Sequence, residues 1–198
     1  IEGNHFEMIQ QPSLAKKITT QIIQDFTYHK LKTLKKTIEK QPNYVVPFIE
    51  IVEHKVPEEK EEQNRLKILF SDAITDFLVS PQKKVLLLQG ESGLGKSIAA
   101  EQLEKSLDII GIPTKKIMMN RYTSKELKRS IREDLKESGN LWDTKSFEVR
   151  VLILESYDEK QDTTDFNYYD TNGLSDYENL KVIFTCQSET LKPGYLTN

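Results

Sequence analysis

Val85-Leu86-Leu87-Leu88-Gln89-Gly90-Glu91-Ser92-Gly93-Leu94-Gly95-Lys96-Ser97-Ile98 is the stretch that decides how this chain folds. An apolar run leads into G-x-x-x-x-G-K-S, and a helix-like segment, Ile98 to Leu107, leads out. That strand–loop–helix context is what a phosphate-binding P-loop requires. The glycines let the backbone fold tightly, so that several N–H groups point inward at phosphate oxygens. The start of the helix adds a partial positive charge at the same spot. Lys96 is expected to reach the β- and γ-phosphates of a nucleotide, and the Ser97 hydroxyl to ligate Mg²⁺. The expected binding loop is therefore Gly90, Glu91, Ser92, Gly93, Leu94, Gly95, Lys96, Ser97 and Ile98. The pattern signals phosphate binding. It specifies neither hydrolysis nor the base.

Composition narrows the setting. The chain has 198 residues, 37% of them hydrophobic and 30% charged, which suits one domain of moderate size with an appendage. A net charge of −3 gives no reason to expect nucleic acid. With Cys186 as the single cysteine, no internal disulfide can form, and the expected location is reducing and cytoplasmic. No apolar run approaches the ~18 residues of a membrane span. The chain opens without Met or a signal-peptide pattern and closes abruptly after Lys192-Pro193-Gly194-Tyr195, so the expectation is a fragment of a longer protein.

Outward from the loop, strands and helices alternate. Residues 6 to 40 carry Ile18, Ile22, Phe26, Leu31, Leu34 and Ile38 at helical spacing, with a start near Pro12-Ser13 and a stop at Gln41-Pro42. Lysines crowd the second half of that helix and read as a solvated face near a helix C-terminus. Residues 43 to 56 read as extended, with Pro47 favouring an edge strand or connector. A short amphipathic helix is expected to carry Leu66, Leu69, Phe70, Ile74, Phe77 and Leu78 on one side and to end at Ser80-Pro81. Beyond the P-loop helix, Lys115 to Asn120 reads as a strand and Ser124 to Glu137 as a charged helix. Phe147 to Glu155 and Lys181 to Cys186 are near-continuous apolar runs, the signature of strands buried on both faces. The expected fold class is α/β: a three-layer P-loop NTPase core with a parallel sheet, preceded by an N-terminal helical segment. The expected division is a helical segment and connector over 1–64 and a P-loop domain over 65–198, truncated at its C-terminus.

A P-loop needs a partner carboxylate at the end of a neighbouring apolar strand. One segment offers it: Val151-Leu152-Ile153-Leu154-Glu155-Ser156-Tyr157-Asp158-Glu159, with three carboxylates in five residues. This run resembles the extended Walker B motif of NACHT domains, members of the STAND class of signal-transducing P-loop ATPases. Lys181-Val182-Ile183-Phe184-Thr185-Cys186-Gln187 is similar to that family's sensor strand. The resemblance spans roughly residues 66 to 192. It implies a sheet in which the sensor strand lies between the P-loop strand and the Walker B strand. It further implies ATP and Mg²⁺ with slow hydrolysis, Glu155 with Ser97 toward the metal, Asp158 and Glu159 as catalytic acids with Glu159 as general base, and Gln187 near the γ-phosphate. The partners it implies are the domains C-terminal to this chain and further copies in an activated homo-oligomer.

Three positions depart from the pattern. Glu155 replaces the usual Asp, Ser156 the usual Gly, and Gln187 the usual Arg, which brought a positive charge to the γ-phosphate. Nucleotide binding is therefore expected to outlast hydrolysis. The lead expectation is a regulatory ATP-binding module. A working ATPase or small-molecule kinase and a degenerate scaffold with weak binding stand as alternatives. The acidic stretch 155–178 reads as a solvated loop. His5, His29 and His54 are too scattered for a metal site, and Cys186 reads as core packing rather than nucleophile.

Overall fold

The computed structural model describes residues 12–42, 44–51, 66–122, 148–157 and 168–187, with 129, 131 and 133. The chain begins with helix α1 (Pro12–Glu39) and a two-stranded antiparallel sheet, β1 (Phe48–Ile51) against β2 (Leu66–Leu69). Helix α2 (Phe70–Val79) follows, then β3 (Val85–Gln89), α3 (Lys96–Ile109), β4 (Thr114–Met118), β5 (Arg150–Glu155), the short α4 (Tyr168–Thr171) and β6 (Leu180–Cys186).

Strands β3 to β6 form one parallel sheet in the order β3-β6-β5-β4. The strand that follows the Walker-B-like run thus sits between that run and the P-loop strand, the order the resemblance implies. The two central strands are buried along their whole length. Val151, Ile153 and Ile183 face a core shared with α1, α2 and α3, while Leu152, Leu154, Val182 and Phe184 face a second core. Ile131, Tyr169 and Leu174 close that second side. Helical residues on both faces of a parallel sheet make this a three-layer α/β fold of the P-loop NTPase kind.

Two sequence expectations change. Leu66 and Leu69 belong to strand β2, not to the following helix. Pairing with β1 claims them, and the Phe70 N–H donates to the Pro47 carbonyl at 2.9 Å where the helix begins. Tertiary pairing here overrides a helical spacing of apolar residues. In α1 the apolar residues Leu31, Leu34 and Ile38 of the second half are buried, whereas Ile18, Ile22 and Phe26 are exposed. The docked half is tied by Lys35 to Asp72 at 2.5 Å and by Lys30 to the Gly111 carbonyl at 2.9 Å. The expected helix over 124–137 lies mostly outside the described residues, although Arg129, Ile131 and Glu133 are helical.

Lys181 is the unexpected core residue. It is 3% exposed near the start of β6. Its ammonium donates to the carbonyls of Phe77, Ser80 and Lys83, closing the end of α2 onto the sheet. Burial, with Lys84 and Lys83 nearby, pushes its pKa down to about 8.

Candidate functional site

The loop between β3 and α3 takes the shape its glycines permit. Gly93 and Gly95 have φ of +82° and +81°, a left-handed conformation that residues with a Cβ rarely adopt. Gly95 is the N-cap of α3 and brings no side-chain cap. The first bond along the helix runs from the Ala99 N–H to the Gly95 carbonyl at 2.9 Å. The N–H groups of Lys96, Ser97 and Ile98 therefore have no partner within the helix, and the positive end of the helix dipole opens outward.

These groups border an open cavity of about 270 Å³. Ser92, Gly93, Gly95, Lys96, Ser97 and Ile98 line one side. Ser156, Thr185 and Gln187, from the ends of β5 and β6, line the other. All three strands contribute their C-terminal ends, the edge at which open α/β sheets bind ligands. The volume lies just under the usual range for ligand pockets, ~300–1,000 Å³. It suits phosphate groups rather than a whole nucleotide.

Lys96 bends back over its own loop. Its ammonium donates to the Gly90 carbonyl at 2.7 Å and to the Glu91 carbonyl at 2.8 Å. Thr185 and Ser156 are linked across the floor, with the Ser156 N–H donating to Thr185 Oγ1 at 3.2 Å. Ser156 has φ of +59°, which accounts physically for a glycine preference at this position. Gln187 lies exposed at the end of β6, on the cavity wall.

Glu155 stands apart from the cavity lining. It is 2% exposed, and its Oε1 has no hydrogen-bond partner among the described residues. Its Oε2 lies 3.6 Å from the Lys116 ammonium of β4, which also lies 3.5 Å from Glu104 of α3. Asp158 and Glu159, the expected catalytic pair, lie outside the described residues. Of the expected site residues, then, the structure brings Ser92, Gly93, Gly95, Lys96, Ser97, Ile98 and Gln187 onto one cavity, leaves Gly90, Glu91 and Leu94 off its lining, and pairs Glu155 with Lys116. Sequence reasoning missed Lys116 and Glu104. No local pattern marks them, because their relation to Glu155 depends on β4 lying beside β5.

The oxygens on offer suit Mg²⁺ in kind. Ser97 lines the cavity, and Glu155 Oε1 is a buried carboxylate oxygen with no donor among the described residues. Among the described residues no cluster of three or more His, Cys, Asp or Glu could hold a metal alone. Mg²⁺ commonly binds through one or two protein oxygens plus substrate phosphates, so this donor set fits it.

Loop, helix dipole and strand order together define a P-loop NTPase-like fold. The chain matches no protein-family model and no curated protein. Among solved structures it is similar to C. elegans PCH-2, with 10% sequence identity and a TM-score of 0.38, over 90% of this chain. It spans 39% of that protein's length. Among the described residues no helix is long and apolar enough to cross a membrane.

Proposed function

We propose that this chain is the ATP-binding regulatory module of a larger signalling protein of the STAND/NACHT kind, with slow or absent hydrolysis. The observation that carries the reading is the single cavity wall on which Lys96, Ser97 and the uncapped start of α3 converge, with Gln187 facing them. Backbone N–H groups of the loop would cradle the phosphates, and Lys96 would exchange the Gly90 and Glu91 carbonyls for phosphate oxygens. Ser97 and Glu155 would hold Mg²⁺, which supplies charge neutralisation between the phosphates. Gln187 can donate a hydrogen bond there but brings no charge to a developing transition state, which supports binding over turnover. Asp158 and Glu159 would order the attacking water. Further domains and further copies of the chain would receive the signal.

The test is titration of the chain with a fluorescent ATP analogue, with Mg²⁺ and with EDTA, followed by single-turnover hydrolysis at saturating Mg-ATP. Binding with turnover far below ~1 per second supports the module. Ordinary enzyme turnover replaces it with the catalyst reading. No binding in either condition leaves a degenerate scaffold.

A further inference from the structure

Buried carboxylates normally find hydrogen-bond donors, because an uncompensated charge inside a protein is costly. Glu155 does not meet that rule. Among the described residues one oxygen has no partner, and the other has only an ion pair at 3.6 Å, longer than a hydrogen bond. Its partner Lys116 is shared. Glu104 holds the same ammonium at 3.5 Å, from two turns into α3, away from the phosphate end of that helix. Two carboxylates thus compete for one cation, and the buried one is left underserved. The Glu155 side chain is drawn toward β4 and is absent from the cavity wall that carries Ser97.

We propose that Lys116 is a positioning residue that restrains Glu155 in the nucleotide-free chain and sets the Mg²⁺ concentration at which nucleotide binds tightly. The proposal rests on the nucleotide-binding reading above. When Mg²⁺ arrives with the phosphates, Glu155 trades a weak partner for a divalent one. Glu104 keeps Lys116 compensated after the exchange, so no ammonium is stranded against the sheet. Lys116 and Glu104 therefore act on Glu155 in opposite directions. Removing the ammonium releases Glu155 and takes a positive charge away from the cation. Removing the charge of Glu104 commits the ammonium to Glu155.

The experiment follows mant-ATP binding by fluorescence while Mg²⁺ is titrated, in wild type, Lys116→Met, Lys116→Arg and Glu104→Gln, with an EDTA arm and a thermal melt for each. Lys116→Met is expected to lower the Mg²⁺ midpoint about five- to tenfold, the scale of one partly screened charge nearby. Glu104→Gln is expected to raise it about two- to fivefold, and Lys116→Arg to stay near wild type. Affinity in EDTA should be the same in all four. Midpoints within twofold of wild type in both Lys116→Met and Glu104→Gln, or shifts of the same sign, overturn the proposal. If Lys116→Met fails to melt cooperatively, the half-exposed Glu104→Gln decides alone: a raised midpoint supports the restraint and an unchanged one overturns it. Nucleotide binding without any Mg²⁺ dependence in wild type removes this proposal and leaves the phosphate site standing. No binding in wild type removes both.

Discussion

Lys96→Ala separates a phosphate site from a glycine turn. The Lys96 ammonium makes two hydrogen bonds, to the Gly90 and Glu91 carbonyls at 2.7 and 2.8 Å. Both lie at a solvent-accessible loop, so losing them should cost stability only about 1 kcal/mol. The effect on nucleotide is larger. A unit charge about 4 Å from a phosphate charge is worth about 4 kcal/mol at the effective dielectric of a protein surface. The cavity is open and the two carbonyl bonds must be given up on binding, so about 2–4 kcal/mol is the net expectation. That is a loss of roughly 30- to 1,000-fold in affinity. Isothermal titration of Mg-ATP into wild type and Lys96→Ala gives the affinity change, and urea unfolding of both gives the stability change. A variant that folds normally and binds within threefold of wild type refutes the assignment of Lys96. A variant whose stability falls by several kcal/mol refutes the energetic reasoning, because Lys96 would then be holding the fold rather than a ligand.

Ser156→Gly should raise stability by about 1 kcal/mol, read as an upward shift in the urea midpoint, because glycine adopts φ of +59° without the penalty a Cβ brings. The Ser156 N–H bond to Thr185 survives the change. Gln187→Arg should raise single-turnover hydrolysis at saturating Mg-ATP by placing a charge on the cavity wall, and unchanged turnover would show that the end of β6 does not address the γ-phosphate. Lys181 gives a pH signature. With its pKa lowered from 10.5 to about 8, the unfolded chain holds a proton between those values that the native chain has released. The Lys181 contribution therefore makes stability rise with pH from about 8 toward 10.5. Urea melts across that window should show the rise in wild type and its absence in Lys181→Met.

What could be read from the sequence follows how local each feature's cause is. The P-loop is legible because its requirements are local: positive φ at Gly93 and Gly95, a donor-rich helix start, and Lys96 and Ser97 at fixed offsets. Strands β5 and β6 are legible because burial on both faces leaves near-continuous apolar runs, and the resemblance then orders them. β2 is hidden in the sequence because Leu66, Leu69 and Phe70 fall at helical spacing while partner β1 lies upstream across a charged segment. Periodicity cannot see a partner that far away. Lys181 breaks the apolar pattern of β6 and would ordinarily argue for exposure. Only the arrival of three carbonyls, from Phe77 and Ser80 at the end of α2 and from Lys83 in the connector to β3, makes its burial tenable.

The site shows the same division, and it bears on how the chain could be regulated. The residues proposed to hold phosphate sit on one continuous segment, so that capacity would be written locally. Lys116, which pairs with Glu155, comes from β4, and Glu104, which competes for it, from α3; they meet Glu155 only because β4 is placed at the far edge of the sheet beside β5. Affinity for phosphate and access to the metal carboxylate are thereby separated in the chain. Substitutions along α3 or β4 can shift the Mg²⁺ requirement while the loop is untouched, and loop substitutions can abolish binding while the Lys116 pair persists. A module whose task is to register nucleotide rather than to turn it over is served by that separation, since its threshold can be set without altering the residues that grip the ligand.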